Sequence, residues 1–115
     1  MIRRAEERSV TVNELMRCGP GSVELTEIAS KSEMYSKARM FSTIVLKPGC
    51  GIGYHIHHDE SEIFCVISGT AVYNDDGVDT TITAGDVAVV TSGHGHSITN
   101  KGTEDVKLVA LIPLA

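Results

Sequence analysis

Short apolar stretches separated by glycine-rich turns dominate the chain, and almost no segment has the periodicity of an amphipathic helix. The stretch from Met40 to Leu46 is rich in β-branched residues and ends at a Lys-Pro-Gly turn. An Asp-Asp-Gly turn at 75–77 predicts a hairpin, because Asp-Gly tolerates the positive φ angles of tight turns. Further strands are predicted over 63–67, 70–74, 78–83, 87–91, 96–99 and 106–114. The pattern predicts an all-β sandwich or barrel.

The first 38 residues carry a weaker pattern. Residues 10–12 and 23–25 are predicted to form short strands on either side of a Cys-Gly-Pro-Gly turn. The polar stretch from Ser30 to Lys37 is predicted to be a loop or a single helical turn. Since 115 residues make one domain of common size and no linker interrupts them, we predict a single domain. In it, an N-terminal extension (1–38) packs on a barrel (39–115).

Composition excludes several classes of function. The net charge is −5 and the basic residues form no cluster, which argues against a nucleic-acid partner. No apolar run approaches the roughly 20 residues that span a bilayer, so we expect no membrane partner. The N-terminus lacks the apolar core of a secretion signal, and we therefore expect a cytoplasmic location. The three cysteines are an odd number without a Cys-x-x-Cys pair, which favours reduced thiols.

Three histidines and one glutamate form the most informative pattern. His55 and His57 are two residues apart, so on a strand both side chains leave the same face. Glu62 follows a short polar loop, from which a returning strand can aim it at that face, and His96 lies in a later predicted strand. Imidazole and carboxylate ligands suit Mn, Fe, Ni, Co, Cu or Zn. The four residues therefore predict a site for one divalent transition metal ion.

These residues resemble the two sequence motifs of the cupins, a family of small β-barrel proteins. The first motif, G-x5-H-x-H-x3,4-E-x6-G, is matched by Gly49, His55, His57, Glu62 and Gly69. The second, G-x5-P-x-G-x2-H-x3-N, is matched by Gly85, Gly93, His96 and Asn100, with Thr91 in place of the usual proline. The resemblance implies a single-domain double-stranded β-helix, also called a jelly roll. It also implies that His55, His57, Glu62 and His96 are the metal ligands.

Other polar residues near the motifs are weaker candidates, and none is identified as catalytic. His58 should point away from His57, and His94 lies in a glycine-flanked loop where solvent contact is expected. The turn residues Asp59 and Glu60 could act as acids of a lid, but we interpret them more simply as solubilising. Tyr54 should face away from His55, and Tyr73 lies near a hairpin end. Neither tyrosine is predicted to take part in catalysis.

Strand alternation predicts what surrounds the metal. Phe64 and Val66 should face inward with Glu62, and Ile98 with His96, which gives a mainly apolar wall. No arginine or lysine lies at an inward position of these strands, and the directions of Arg39 and Lys107 are left open; a small, weakly charged ligand is expected. The opposite face carries the apolar row Ile63, Cys65 and Ile67, which either the N-terminal strands or a second subunit must cover. We predict a homodimer.

Two functions of different classes remain open. The resemblance implies a metal-dependent enzyme acting on a small oxygen-bearing metabolite, with dioxygenase-like or isomerase/decarboxylase-like chemistry at the site of three histidines and one glutamate. The lack of an evident acid–base residue mildly favours oxygen chemistry among these. The same lack supports the alternative, a non-catalytic module that binds or senses a small molecule.

Overall fold

The computed structural model describes all 115 residues and is built almost entirely from strands. The strands are β1 (Val10–Glu14), β2 (Ser22–Ala29), β3 (Ala38–Leu46), β4 (Gly51–Ile56), β5 (Glu62–Ser68), β6 (Thr70–Asp75), β7 (Val78–Thr83), β8 (Val87–Val90), β9 (Gly95–Thr99) and β10 (Val106–Pro113). Two single 3-10 turns occur, at Ala5–Glu7 and Met16–Cys18. No helical segment has the length and apolar character needed to cross a bilayer.

Two antiparallel sheets face each other. The first has six strands in the order β1-β2-β3-β10-β5-β8, and the second has four in the order β4-β9-β6-β7. The chain passes from one sheet to the other between β3 and β4, and again between β4 and β5. This is the double-stranded β-helix, so the all-β prediction is confirmed.

The core lies between the two sheets, where alternate side chains of each strand meet. Phe64, Val66 and Ile98 are each at most 1% exposed, as the alternation predicts. Burying one such side chain stabilises the fold by about 1.5–3 kcal/mol. Asn100 is also fully buried, and its amide donates to the carbonyls of Leu46 and Glu104, at 2.9 and 2.7 Å. This motif residue therefore fastens the loop after β9 and lies outside the ligand cluster.

The observed strands agree with the predicted ones to within a residue or two at most ends. In the hairpin between β6 and β7, Asp76 and Gly77 both have positive φ, 51° and 102°, as the Asp-Gly signal requires. The N-terminal strand β2 is longer than predicted, at eight residues, because it pairs along most of its length with β3. Residues 31–36 form turns. The boundary near residue 38 stays a prediction.

The outer face of the six-stranded sheet is apolar over several strands. Cross-strand pairs place Ile63 beside Leu111 and Val89, and Cys65 beside Val87. On β8 the two valines are 58% and 52% exposed. The homodimer expected through this face stays a prediction, as does the cytoplasmic location.

Candidate metal centre

A bulge in β4 decides which side chains enter the barrel. Ile52 pairs with Ile98 and His55 with His96, so three steps along β4 oppose two steps along β9. The extra residue shifts the alternation of side chains along β4. His55 therefore faces inward like Ile52, although regular pleating would direct residues three positions apart to opposite faces. Without this shift Tyr54 would be buried, whereas it is 50% exposed.

The bulge and the two sheets bring the four predicted ligands together. His55 on β4 and His96 on β9 belong to the four-stranded sheet, and His57 lies one residue beyond the end of β4. Glu62 is the first residue of β5 and reaches the cluster from the opposite sheet. His57, Glu62 and His96 are at most 5% exposed. The cluster therefore occupies the space between the sheets, at one end of the core.

The donor atoms of these side chains point at one another. Nε2 of His57 lies 3.0 Å from Nε2 of His55 and 3.1 Å from Nε2 of His96. Oε1 of Glu62 lies 3.0 Å from Nε2 of His96, 3.3 Å from that of His57 and 4.0 Å from that of His55. Four donors from two sheets thus converge on one point.

The outer ring nitrogens show which tautomers are present. Nδ1 of His55 donates to the carbonyl of Gly53 at 2.8 Å, and Nδ1 of His57 donates to the carboxylate of Glu60. Carbonyl and carboxylate oxygens only accept, so both rings carry their proton on Nδ1. In the neutral rings both Nε2 atoms are then bare lone pairs, and their 3.0 Å contact is not a hydrogen bond. A shared cation would satisfy both lone pairs.

The spacing of the donors fits a metal ion. Two nitrogens at about 2.1 Å from one ion lie about 3.0 Å apart at a right angle and about 3.4 Å apart in a tetrahedron. The spacings of 3.0 and 3.1 Å among the histidines match the right angle. Borderline nitrogen donors with one carboxylate are the ligand set of first-row transition metals. The four residues could therefore hold one such ion with positions left for a ligand.

His96 is oriented by neutral neighbours. Nδ1 of His96 bonds to the hydroxyl of Tyr73 at 2.8 Å, and the ring of Phe64 stacks on it with planes 13° apart and centroids 5.1 Å apart. Tyr73 is only 3% exposed, and burial raises the pKa of its phenol. The hydroxyl therefore stays neutral and holds the imidazole of His96 with Nε2 towards the other ligands.

His57 is oriented by a charged pair instead. Arg39 donates two hydrogen bonds of 2.7 Å to the carboxylate of Glu60, which accepts from His57 on its other side. The guanidinium of Arg39 lowers the pKa of Glu60 to about 2. Arg39 lies at a bulge in β3, since Ala38 and Met40 pair with consecutive residues of β10. The bulge gives Arg39 a direction that simple alternation does not.

The charges inside the cluster are mutually adjusted. Contact with the Glu62 carboxylate raises the pKa of His57, whereas burial lowers the pKa of His55. Burial alone would raise the pKa of Glu62, but its contacts with the imidazoles of His57 and His96 outweigh burial and lower that pKa. Glu62 is therefore a buried anion that a cation would neutralise.

One interpretation of the sequence needs correction. Glu60 is interpreted as a solubilising turn residue, but its side chain is mostly buried and connects Arg39 to His57. Tyr73, for which the sequence predicts no part in catalysis, supports the site by bonding to His96. Both contacts join residues that the sequence pattern does not relate. Neither residue touches the space where a ligand would lie, so they are positioning residues.

The other two histidines lie outside the cluster. His58 is exposed and its ring makes no hydrogen bond, as expected for a side chain that leaves the opposite face. Nδ1 of His94 bonds to the carboxylate of Asp76 at 2.9 Å on the surface. The loop that carries His94 nevertheless supports the site, because its backbone bonds to that of His57 in both directions.

A small cavity of about 60 Å³ opens beside the ligands. Five apolar side chains line it (Met16, Met40, Ile44, Ile52 and Ile112), together with His55, His57, Glu62 and two arginines, Arg17 and Arg39. The motif strands supply no inward arginine or lysine, as predicted, but these two come from β3 and from the N-terminal turn. Lys107 is exposed on β10. Arg17 had no recognisable signal in the sequence.

The fold and the cluster define a class, the double-stranded β-helix proteins that gather histidines and a glutamate between two sheets. A family model described as the cupin domain matches residues 42–112, and the chain belongs to that family. An oxalate-binding protein of Thermotoga maritima is 40% identical over 114 residues, which cover 99% of this chain and 94% of the relative.

Solved structures agree with this placement. A crystal structure from Thermotoga maritima, described as a predicted oxalate decarboxylase, superposes with a TM-score of 0.95 at 40% identity and covers all of both chains. KdgF from Halomonas sp. has a TM-score of 0.75 over 100% of this chain and 96% of its own. At 14% identity that second likeness shows the fold alone.

Proposed function

We propose that the protein binds a small dicarboxylate, with oxalate as the reference ligand, at a divalent metal ion held by His55, His57, Glu62 and His96. The observation that carries the proposal is the convergence of four donors beside a cavity that two arginines border. The name of the Thermotoga maritima relative supports the choice of oxalate. When bound, the ion would supply Lewis-acid positions for two adjacent ligand oxygens.

The cavity suits a very small anion. Its volume of about 60 Å³ is far below the roughly 300–1,000 Å³ of sites for drug-sized ligands. Apolar side chains form one wall, and the exposed residues Arg17 and Arg39 supply positive charge at the cavity. The ligand is thus expected to be small, as the sequence also predicts. It is expected to be anionic, whereas the sequence predicts a weakly charged ligand.

Binding without turnover is favoured over catalysis by the lining of the cavity. Decarboxylation replaces a carbon–carbon bond by a carbon–hydrogen bond and so needs a proton donor. The carboxyl of Glu60 has a pKa of about 2 and is committed to Arg39 and His57, so it holds no proton near neutral pH. The remaining non-ligand side chains are apolar or permanently cationic. Decarboxylase and isomerase activities are therefore less favoured, and dioxygenase-like oxygen chemistry, which does not depend on such a donor, is the second candidate.

The test is a titration of oxalate into protein loaded with one metal at a time, after excess metal has been removed. We expect one oxalate per chain with Mn²⁺, Co²⁺, Ni²⁺ or Zn²⁺ and none with metal-free protein. Formate production over hours is measured on the same samples under air and under nitrogen. Saturable, metal-dependent binding without formate supports the proposal. Absence of binding to every loaded form contradicts it, and turnover moves the enzymatic candidate into first place.

A further inference from the structure

The turn that joins β1 to β2 has an unusual backbone for its sequence. Leu15, Arg17 and Cys18 all have left-handed φ angles (49°, 52° and 62°), which are unfavourable for residues with a Cβ. Strained residues of this kind persist only where surrounding contacts hold them, and they are concentrated at functional sites. Three of them within four positions make this turn, Leu15–Cys18, the most strained segment of the chain.

Bonds within the connection between β1 and β2, and contacts of that connection with β4, hold the turn in place. The amide of Leu15 donates to the carbonyl of Gly21 at 2.8 Å, and the amide of Gly51 on β4 donates to the carbonyl of Pro20 at 2.9 Å. The carbonyl of Arg17 lies so close to Gly53 that a Cβ on Gly53 would collide with it. The turn is therefore pressed against the bulged strand that carries His55.

This packing brings Met16 and Arg17 to the cavity beside the metal ligands. Of the two arginines that line the cavity, Arg39 is already paired, since it gives two hydrogen bonds to Glu60. The guanidinium of Arg17 makes no hydrogen bond and no ion pair within the chain. Arg17 is thus the one cavity cation whose donors are free for a ligand.

The charges around the cavity indicate the kind of ligand that Arg17 would meet. A divalent ion and the Glu62 carboxylate together leave one net positive charge, and Arg39 and Glu60 cancel. Arg17 adds a second positive charge, so the site is complementary to a dianion. Guanidinium groups recognise carboxylates through paired, charge-assisted hydrogen bonds.

From the free guanidinium and the strained turn that carries it, we propose that Arg17 is a specificity-determining residue that selects compact dicarboxylates over monocarboxylates of similar size. The inference rests on the proposed function and deepens it by assigning the choice of ligand to the N-terminal segment. The metal would bind adjacent oxygens of either acid, whereas only a dicarboxylate offers a second carboxylate to Arg17.

The experiment compares oxalate with glycolate, a monoanion that also offers two adjacent oxygens to a metal. Both are titrated calorimetrically into metal-loaded wild type, Arg17→Gln, Arg17→Gly and Arg17→Lys. Glycine suits the left-handed φ at position 17, so Arg17→Gly removes the side chain without adding strain. Arg4→Gln is the matched control, because Arg4 is exposed and its side chain makes no hydrogen bond. Metal content and melting temperature are measured on every variant.

We expect Arg17→Gln and Arg17→Gly to raise the Kd of oxalate by about tenfold or more and that of glycolate by less than about threefold. Arg17→Lys should fall between these variants and wild type, and Arg4→Gln should match wild type. Equal weakening of both acids would show a structural role and overturn the inference, as would oxalate binding within about twofold of wild type. If wild type binds glycolate but not oxalate, or neither acid, the proposed function fails first and this inference fails with it.

Discussion

Two glutamate–arginine pairs in this protein have the same chemistry and different consequences. Arg3 donates to Glu33 at 2.8 Å on the surface, and Arg39 donates to Glu60 beside the metal ligands at 2.7 Å. In each pair the guanidinium lowers the pKa of the carboxyl to about 2. Glu33 otherwise bonds only to the neighbouring Ser30, whereas Glu60 also accepts the proton of His57. The Arg39–Glu60 pair differs in having His57 as a third partner, which connects it to the metal ligands.

The largest effect is expected from removing His57, the histidine that bonds to the Arg39–Glu60 pair. His57→Ala deletes the donor that lies closest to all the others, so metal binding should be lost. Plasma mass spectrometry of protein purified without chelators measures this directly. His58→Ala, at the exposed neighbouring residue, should retain the metal content of wild type. Unchanged metal stoichiometry in His57→Ala would contradict the assignment of the ligands.

A second comparison removes the charge from each pair in turn. Glu60→Gln should weaken metal affinity by about 10–100-fold, because an anionic partner raises the basicity of a histidine ligand and fixes its orientation. Glu33→Gln should leave metal affinity unchanged, since no contact connects it to a ligand. Competition with a chromogenic chelator measures both constants. If the two variants weaken affinity alike, the effect is one of overall charge, and the positioning role of Glu60 is wrong.

Tyr73→Phe tests the neutral support on the other side of the cluster. It leaves Nδ1 of His96 buried without its hydrogen-bond partner, which should lower the free energy of unfolding of metal-free protein by about 1–3 kcal/mol. Urea denaturation measures the change, with Tyr35→Phe as the control at an exposed position. We expect metal affinity to fall less than in Glu60→Gln. A loss of affinity larger than that of Glu60→Gln would reverse this ranking of the two supports.

The smallest effect is expected from the surface pair Arg3–Glu33 and concerns the dependence of stability on pH. Because the pKa of Glu33 is depressed in the fold, its stabilisation is present above the ordinary pKa of 4.5 and is lost as the pH falls towards about 2. The surface position of the pair keeps the contribution small. The melting temperature of wild type should exceed that of Glu33→Gln slightly at pH 7, and the gap should narrow below pH 4.5 and close towards about pH 2. A gap that widens towards low pH would contradict the sign.

Much of the fold could be predicted from the sequence because its signals are local. Apolar runs and Asp-Gly or glycine-rich turns mark the strands from β3 onwards, and each needs only a few neighbouring residues to be recognised. In the N-terminal region the signal was weaker, since most of the length of β2 is determined by pairing with β3. The strand propensities of its residues carry no information about that long-range pairing.

The ligand cluster could be predicted from spacing, but its supports could not. His55, His57, Glu62 and His96 follow a pattern that resemblance and alternation both detect. Arg39 and Glu60 are 21 residues apart, and Tyr73 and His96 are 23 apart, with no spacing rule to join them. Arg17 was missed for a related reason, because its position depends on the packing of a strained turn against Gly53.

The bulge in β4 separates the length of the strand from the direction of its side chains. Ile52 and His55 both face inward although they are three residues apart, because one residue between them is not matched on β9. Deletion of Gly53 would leave these two residues two positions apart, so regular pleating would still direct both side chains into the barrel. The ligands therefore tolerate loss of the extra residue, whose effect is local: at Gly53 the carbonyl of Arg17 leaves no room for a Cβ.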